Sequence, residues 1–331
     1  MSDASFDVVG IGNAIVDVLS HVEDGVLVAQ GLEKGAMTLV DAARAEALYG
    51  AMGPGVEVSG GSASNTIAGL ASLGGRGAFI GTVADDQLGR IFRHDIRAAG
   101  VSFDTPPATG GAPTARCLIF VTPDAQRTMQ TYLGACIELG PEDIDADLVA
   151  AAKVTYLEGY LWDPPRAKEA FLKAAAIAHG AGRKVALSLS DPFCVDRHRA
   201  EFRDLVRDHV DILFANEAEL CALWEVENFD AALQATRGQC AVAALTRSEK
   251  GSVVMADGDV HVVDAAPVAR VVDTTGAGDL YAAGFLFGYT AGRGPFNCGR
   301  IGSLAAAEVI GHIGARPETP LRALLPAELT R

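Results

Sequence analysis

Basic residues are scarce in this chain of 331 residues: Lys and Arg total 27 against 42 Asp and Glu, for a net charge of −15. They form no extended run, so the chain offers no cationic track for a phosphate backbone, which argues against nucleic acid as a partner. An anionic membrane surface is disfavoured for the same reason. No apolar stretch reaches the roughly 18–20 residues that a membrane span needs. No cationic segment precedes the first apolar run in MSDASFDVVG. The six cysteines, at 117, 136, 194, 221, 240 and 298, include no C-x-x-C pair and do not cluster with the seven His. Reduced, mostly buried thiols in a cytoplasmic protein are therefore expected, rather than a disulfide framework or a zinc site. There is no G-x-x-x-x-G-K-[ST], which excludes a P-loop enzyme. Aromatics, at 6%, are too few for a typical β-sandwich core.

What is present is apolar residue in quantity, 49%, and 37 Gly, a mixture that suits an α/β enzyme with many tight turns. Apolar runs of strand length alternate with helical patterns. Strands are expected over 6–12, 77–83, 154–159, 184–190, 211–216 and 241–246. Helices are expected from Asp41 to about Gly53, then to Leu73 and over 87–99, 164–179, 197–208, 217–224, 229–237, 276–290 and 296–310. This order predicts a doubly wound, mostly parallel sheet covered on both faces. Two stretches interrupt it. Residues 14–40 and 112–133 read as strands without a crossover helix, and 115–122 with 127–134 reads as a hairpin across Pro123-Asp124. Together they predict a small β-sheet lid beside a single domain spanning 1–331.

The strongest chemical signal is Asp273-Thr274-Thr275-Gly276-Ala277-Gly278-Asp279, running into an apolar helix. Small residues at 276–278 let backbone N–H groups converge where the helix dipole adds positive charge, an anion hole for a transferring phosphoryl. Asp279, in the first helical turn, can accept the proton of an attacking hydroxyl. The bland alternative is a capping acid on a glycine turn. Gly60-Gly61 leads through Ser-rich residues to Asn65, whose amide can serve a sugar diol; alone this reads equally as a loop with a helix cap. Asp17 follows the first strand, where ligands bind in open α/β sheets, yet a solvated turn acid is the commoner case. Asn216 and Glu219 share a helix face and could hold Mg²⁺ through waters, or simply start the helix. Gly10-Ile11-Gly12 begins like a dinucleotide fingerprint, but Ile15 stands in the third glycine's place and the chain continues as strand.

These segments, in this order, resemble the ribokinase/PfkB family of carbohydrate and nucleoside kinases over nearly the whole chain. Residues 60–89 and 273–286 resemble the two family signatures, 216–219 the N-x-x-E motif and 314–317 the late G-A-x-P segment; Ala84 departs where Gly is common. The resemblance implies an ATP-dependent kinase with a Rossmann-like domain and a β-sheet lid. Asp279 would be the base, with the amides of Gly276, Ala277 and Gly278 forming the anion hole. Asn13, Asp17, Gly60, Gly61 and Asn65 would bind the acceptor. Asn216, Thr246 and Gly251 would lie along ATP, and Asn216 and Glu219 would organise Mg²⁺. Asp273 and Thr275 resemble part of a K⁺ loop. Gly12-Asn13 and the segment 127–135 resemble adenosine-kinase-type members most, with a free-sugar kinase as the rival and a non-catalytic nucleotide-binding regulator as the alternative of another class. A homodimer through the lid is the assembly considered.

Overall fold

The structure is a computed structural model and describes residues 4–124 and 126–330. The main sheet has eight strands in the order β13-β12-β11-β10-β9-β8-β1-β5. These are β1 (Phe6–Ile11), β5 (Gly77–Ile80), β8 (Ala152–Glu158), β9 (Lys184–Ser188), β10 (Ile212–Asn216), β11 (Val242–Thr246), β12 (Ser252–Ala256) and β13 (Asp259–Val263). The first six are mutually parallel, and β12 and β13 close one edge antiparallel. That antiparallel pair is absent from the sequence-based expectation, which placed no strand after 246.

Period-two alternation explains why the sheet is buried on both sides. Val9, Leu187 and Leu213 face one core with α5 (Ala146–Ala150), α6 (Pro165–Gly180), α7 (Pro192–His209), α8 (Glu217–Trp224) and α9 (Phe229–Thr236). Val8, Ala186 and Phe214 face the other. That second face carries α3 (Ser62–Ser72), α4 (Gln87–Ala98), α10 (Ala277–Thr290) and α11 (Pro295–Val309), with α12 (Ala327–Thr330) sealing the end of the chain against it. Among the described residues no helix is long and apolar enough to cross a membrane.

A second, five-stranded sheet runs β3-β7-β6-β2-β4, built from β2 (Ile15–His21), β3 (Met37–Leu39), β4 (Val56–Gly60), β6 (Ala115–Val121) and β7 (Arg127–Tyr132). The expected hairpin is present as antiparallel β6 and β7. Residue 125 in its turn lies outside the described residues. Two details correct the expectation. Residues 24–30 form a helix, α1 (Asp24–Gln30), because Leu27 is buried beneath the sheet and Gly31, at φ 64°, ends the turn in the left-handed region. Further, β4 lies outside both proposed insertions. The helix α2 (Ala42–Ala51) begins as expected, with the Asp41 carboxylate accepting from Arg44 N.

The reversal of strand order falls at β1. The chain first moves to β5 on one side and later to β8 on the other. Crevices at such a reversal, beyond the C-terminal ends of the strands, are where open α/β sheets bind ligands.

Candidate active site

The turn before α10 is set by Gly276. Its φ is 79°, and a Cβ there would press against Ala315 at 2.8 Å. This left-handed residue lets the chain enter α10 with its first amides directed outward. The Ala277 N–H donates to Thr274 O at 3.2 Å, so the expectation of three free amides is corrected at that residue. The N–H groups of Gly276 and Gly278 have no protein acceptor among the described residues. Gly278 is exposed, with open space around it, so an anion can approach this helix end.

Asp279 follows, half-buried. Its Oδ1 accepts from Ser62 Oγ at 2.6 Å and its Oδ2 from Asn65 Nδ2 at 3.2 Å. Burial raises its pKa above the ordinary carboxylate value, opposed by those two hydrogen bonds and by Arg316. The Arg316 guanidinium donates to Asn65 Oδ1 (2.7 Å) and Ser64 Oγ (2.9 Å). Burial lowers the Arg316 pKa to about 10, against the pull of Asp95, Asp17 and Asp279. α3 and α10 hold this network together because Gly69 leaves room for Leu280.

Asp17 stands on β2, with its carboxylate in the space a side chain on Gly60 would fill. Among the described residues nothing donates a hydrogen bond to it. Burial pushes its pKa up to about 6; Arg127 and Arg316 pull it down and Asp279 adds to the rise. A half-buried carboxylate with free lone pairs is suited to a pair of hydroxyl donors. Gly61, at φ 91°, has Asn13 O where its Cβ would be. Asn13 Nδ2 donates to Glu158 Oε1 at 2.7 Å, and Asn13 Oδ1 is buried without a donor.

Asn216 and Glu219 form a reciprocal cap at the start of α8. Asn216 Oδ1 accepts from Glu219 N (2.9 Å), while Asn216 N and Nδ2 donate to Glu219 Oε2 (2.9 Å) and Oε1 (2.6 Å). Burial raises the Glu219 pKa to about 7, with Asp191 and Asp279 adding to the rise. Thr246 pairs with Asn216 in register across β10 and β11. Gly251 has φ 80° and closes the turn into β12, where a side chain would overlap Val263 O; the turn itself accounts for this glycine.

Asp273, expected to form part of a K⁺ loop, has partners within the protein. Its carboxylate forms a buried ion pair with Arg127 of the lid and accepts from Thr275 N (3.0 Å) and Gly314 N (2.9 Å). Its charge is thus set against a guanidinium. Among the described residues no cluster of three His, Cys, Asp or Glu side chains could hold a metal ion. Glu219 is held within its cap, so its fit is to a hydrated Mg²⁺ reached through water.

Sequence reasoning overlooked Ser62, Arg127, Glu158 and Arg316 as parts of this centre. Arg316 was visible only as a member of 314–317, and Glu158 only as a residue within the strand expected over 154–159. It also overlooked Tyr160, 38% exposed, and Phe193, 75% exposed, which follow β8 and β9 at the same edge of the sheet.

The fold and this centre are those of a phosphotransferase, and comparison places the chain in a family: it belongs to the pfkB family carbohydrate kinases, whose sequence pattern matches residues 44–322. It is therefore an ATP-dependent carbohydrate or nucleoside kinase. The structure of adenosine kinase from Sinorhizobium meliloti is similar, with 59% identity, a TM-score of 0.90 and coverage of 97% of this chain and 98% of that one. A probable sugar kinase from Rhizobium etli is 56% identical, with a TM-score of 0.90 and 97% of each chain covered. Adenosine kinase 1 of Arabidopsis thaliana is 27% identical over 355 residues, covering 97% of this chain and 99% of the relative.

Proposed function

We propose that the protein transfers the γ-phosphoryl group of ATP to the primary hydroxyl of a nucleoside, adenosine first, yielding AMP and ADP, with Asp279 as general base. The observation that carries this reading is the half-buried Asp279 carboxylate, steered by Ser62 and Asn65, in the first turn of α10 beside the unengaged amides of Gly276 and Gly278. Its raised pKa suits a base that must accept a proton near neutrality.

In the proposed reaction the acceptor oxygen bonds to the γ-phosphorus as the bond from that phosphorus to the β,γ-bridging oxygen breaks. The hydroxyl proton passes to an Asp279 carboxylate oxygen, and the leaving oxygen departs on ADP. The Gly276 and Gly278 amides take up charge on the transferring group. Asp17 accepts from acceptor hydroxyls, with Asn65, Asn13 and the Gly60-Gly61 turn shaping the same side. Asn216, Glu219 and Thr246 lie on the nucleotide side, where Mg²⁺ held through water would neutralise phosphate charge. Closure of the lid excludes water and protects ATP from hydrolysis.

Two observations favour a nucleoside over a free sugar. The exposed rings of Tyr160 and Phe193 offer apolar faces for a base at the edge where Asn13 and Glu158 stand. The similar Sinorhizobium meliloti protein is an adenosine kinase. The test is a coupled ADP-release assay across adenosine, other nucleosides, ribose, fructose and their phosphates. Adenosine should give the highest kcat/KM. A higher value for a free sugar would replace the acceptor assignment while leaving the phosphotransfer chemistry in place.

A further inference from the structure

One buried acid in the crevice has no part in the chemistry proposed above. Glu158 ends β8 and faces Asn13 just beyond the end of β1, the two strands that flank the reversal of strand order. Its side chain is fully enclosed. Oε1 accepts from Asn13 Nδ2 at 2.7 Å, and Oε2 accepts from the backbone Ala63 N–H at 2.8 Å. The second bond grips the first turn of α3, between Ser62, which holds Asp279, and Asn65, which also does. Gly12 exists for this acid: a Cβ there would overlap Glu158 Oε2 and come within 2.7 Å of Ala63.

Burial raises the Glu158 pKa to about 7, opposed by the bonds from Ala63 and Asn13, and above that pH the ionised carboxylate can only accept hydrogen bonds. It therefore forces the Asn13 carboxamide to turn its NH₂ toward Glu158. The carbonyl oxygen is left on the other side, and Asn13 Oδ1 is indeed the buried atom with no donor. The Asn13 backbone packs against Gly61, whose neighbour Gly60 lies under the Asp17 carboxylate. A buried acceptor without a partner is a standing cost that a ligand donor can remove.

We propose that Glu158 is a positioning residue that orients the Asn13 carboxamide, so that Oδ1 is presented to the phosphate acceptor and the site selects an acceptor carrying a hydrogen-bond donor there. This rests on the acceptor side of the site proposed above. Gln has the same shape but one donor end. The Ala63 N–H is fixed in the helix turn and keeps the Gln oxygen, so the Gln NH₂ faces Asn13 and the Asn13 amide must invert. Nδ2 then becomes the atom offered to the ligand.

The experiment compares wild type, Glu158→Gln and Asn13→Ala in the ADP-release assay. The acceptors are adenosine and analogues that lack, one at a time, the 2′-hydroxyl, the 3′-hydroxyl and the 6-amino donor. Melting curves monitor the fold. Glu158→Gln should raise the acceptor KM about 10- to 100-fold and leave the ATP KM within about twofold. One analogue should lose about that factor in kcat/KM with wild type, yet lose little further with either variant, because its missing donor no longer has a partner. If Glu158→Gln does not fold, the loss of that same discrimination in Asn13→Ala carries the test. An acceptor KM unchanged by Glu158→Gln, or analogue penalties equal in wild type and Asn13→Ala, overturns the assignment and leaves the kinase reading standing. Absence of ADP release by wild type with every nucleoside and sugar would overturn both.

Discussion

At the scale of single residues, the centre is a set of carboxylates kept out of water and then restrained by a few donors. Asp17 is the clearest case, because burial lifts its pKa to about 6 against the pull of Arg127 and Arg316. A carboxyl whose folded pKa is raised favours the neutral form. The stability it contributes is complete below the ordinary value of 3.8 and is lost as pH rises through about 6. Asp17→Asn should therefore unfold at the same temperature as wild type near pH 4 and at a higher one above pH 6, read from melting curves. Activity runs the other way, since only the ionised form accepts from two hydroxyls. The kcat/KM for the acceptor should climb through about pH 6 in wild type and lose that rise in Asp17→Asn. Ser62→Ala removes a donor to Asp279 and should lower kcat by about tenfold, with the ATP KM little changed. Asp279, Asn65 and Asp17 were legible because each adjoins a contiguous glycine-rich or strand-end signal. Glu158 and Arg316 were not, since a buried charge announces itself only through partners far away in sequence: Asn13 for the first, Ser64 and Asn65 for the second. Gly10 and Gly12 imitate a nucleotide motif for a packing reason, making room for Ile67 and for Glu158.

At the scale of elements, the site depends on close approach of helices. α10 and α11 meet where Gly284 lies against the Ile301 carbonyl and Gly302 against the Tyr281 carbonyl. A Cβ on Gly284 would stand 2.6 Å from Ile301 O, an overlap with backbone that no rotamer change relieves. Gly284→Ala should cost about 1–3 kcal/mol in denaturant unfolding. Periodicity located nearly every helix and parallel strand because those segments are long and strongly patterned. It failed at 24–30, where a short apolar segment fits strand or helix equally until Gly31 and the burial of Leu27 decide. It also missed β12 and β13, which are joined by the Asp257-Gly258 turn, both residues at positive φ, while Gly251 closes the turn from β11 into β12. The lid is tied to the loop before α10 by the Arg127–Asp273 pair. With that carboxylate already neutralised, replacing K⁺ by Na⁺ should leave kcat unchanged; several-fold activation by K⁺ would assign the cation to other ligands of the loop.

At the scale of the whole molecule, a chain with net charge −15 must bind an anionic nucleotide against its own field. In the proposed reaction the amides at the start of α10 are what it sets against that field. Repulsion between exposed charges is screened as the Debye length falls to about 10 Å at 0.1 M salt. The KM for MgATP should accordingly fall as salt rises from about 0.01 to 0.1 M, whereas the KM for uncharged adenosine should stay constant. The six cysteines are free thiols. The proposed function converges on one carboxylate, set by that reading between an acceptor site and an anion hole. The kcat of Asp279→Asn, measured by ADP release on protein whose melting curve matches wild type, tests that most directly. A fall of about 10²–10⁴ with little change in either KM is the predicted result; a kcat near that of wild type would contradict it.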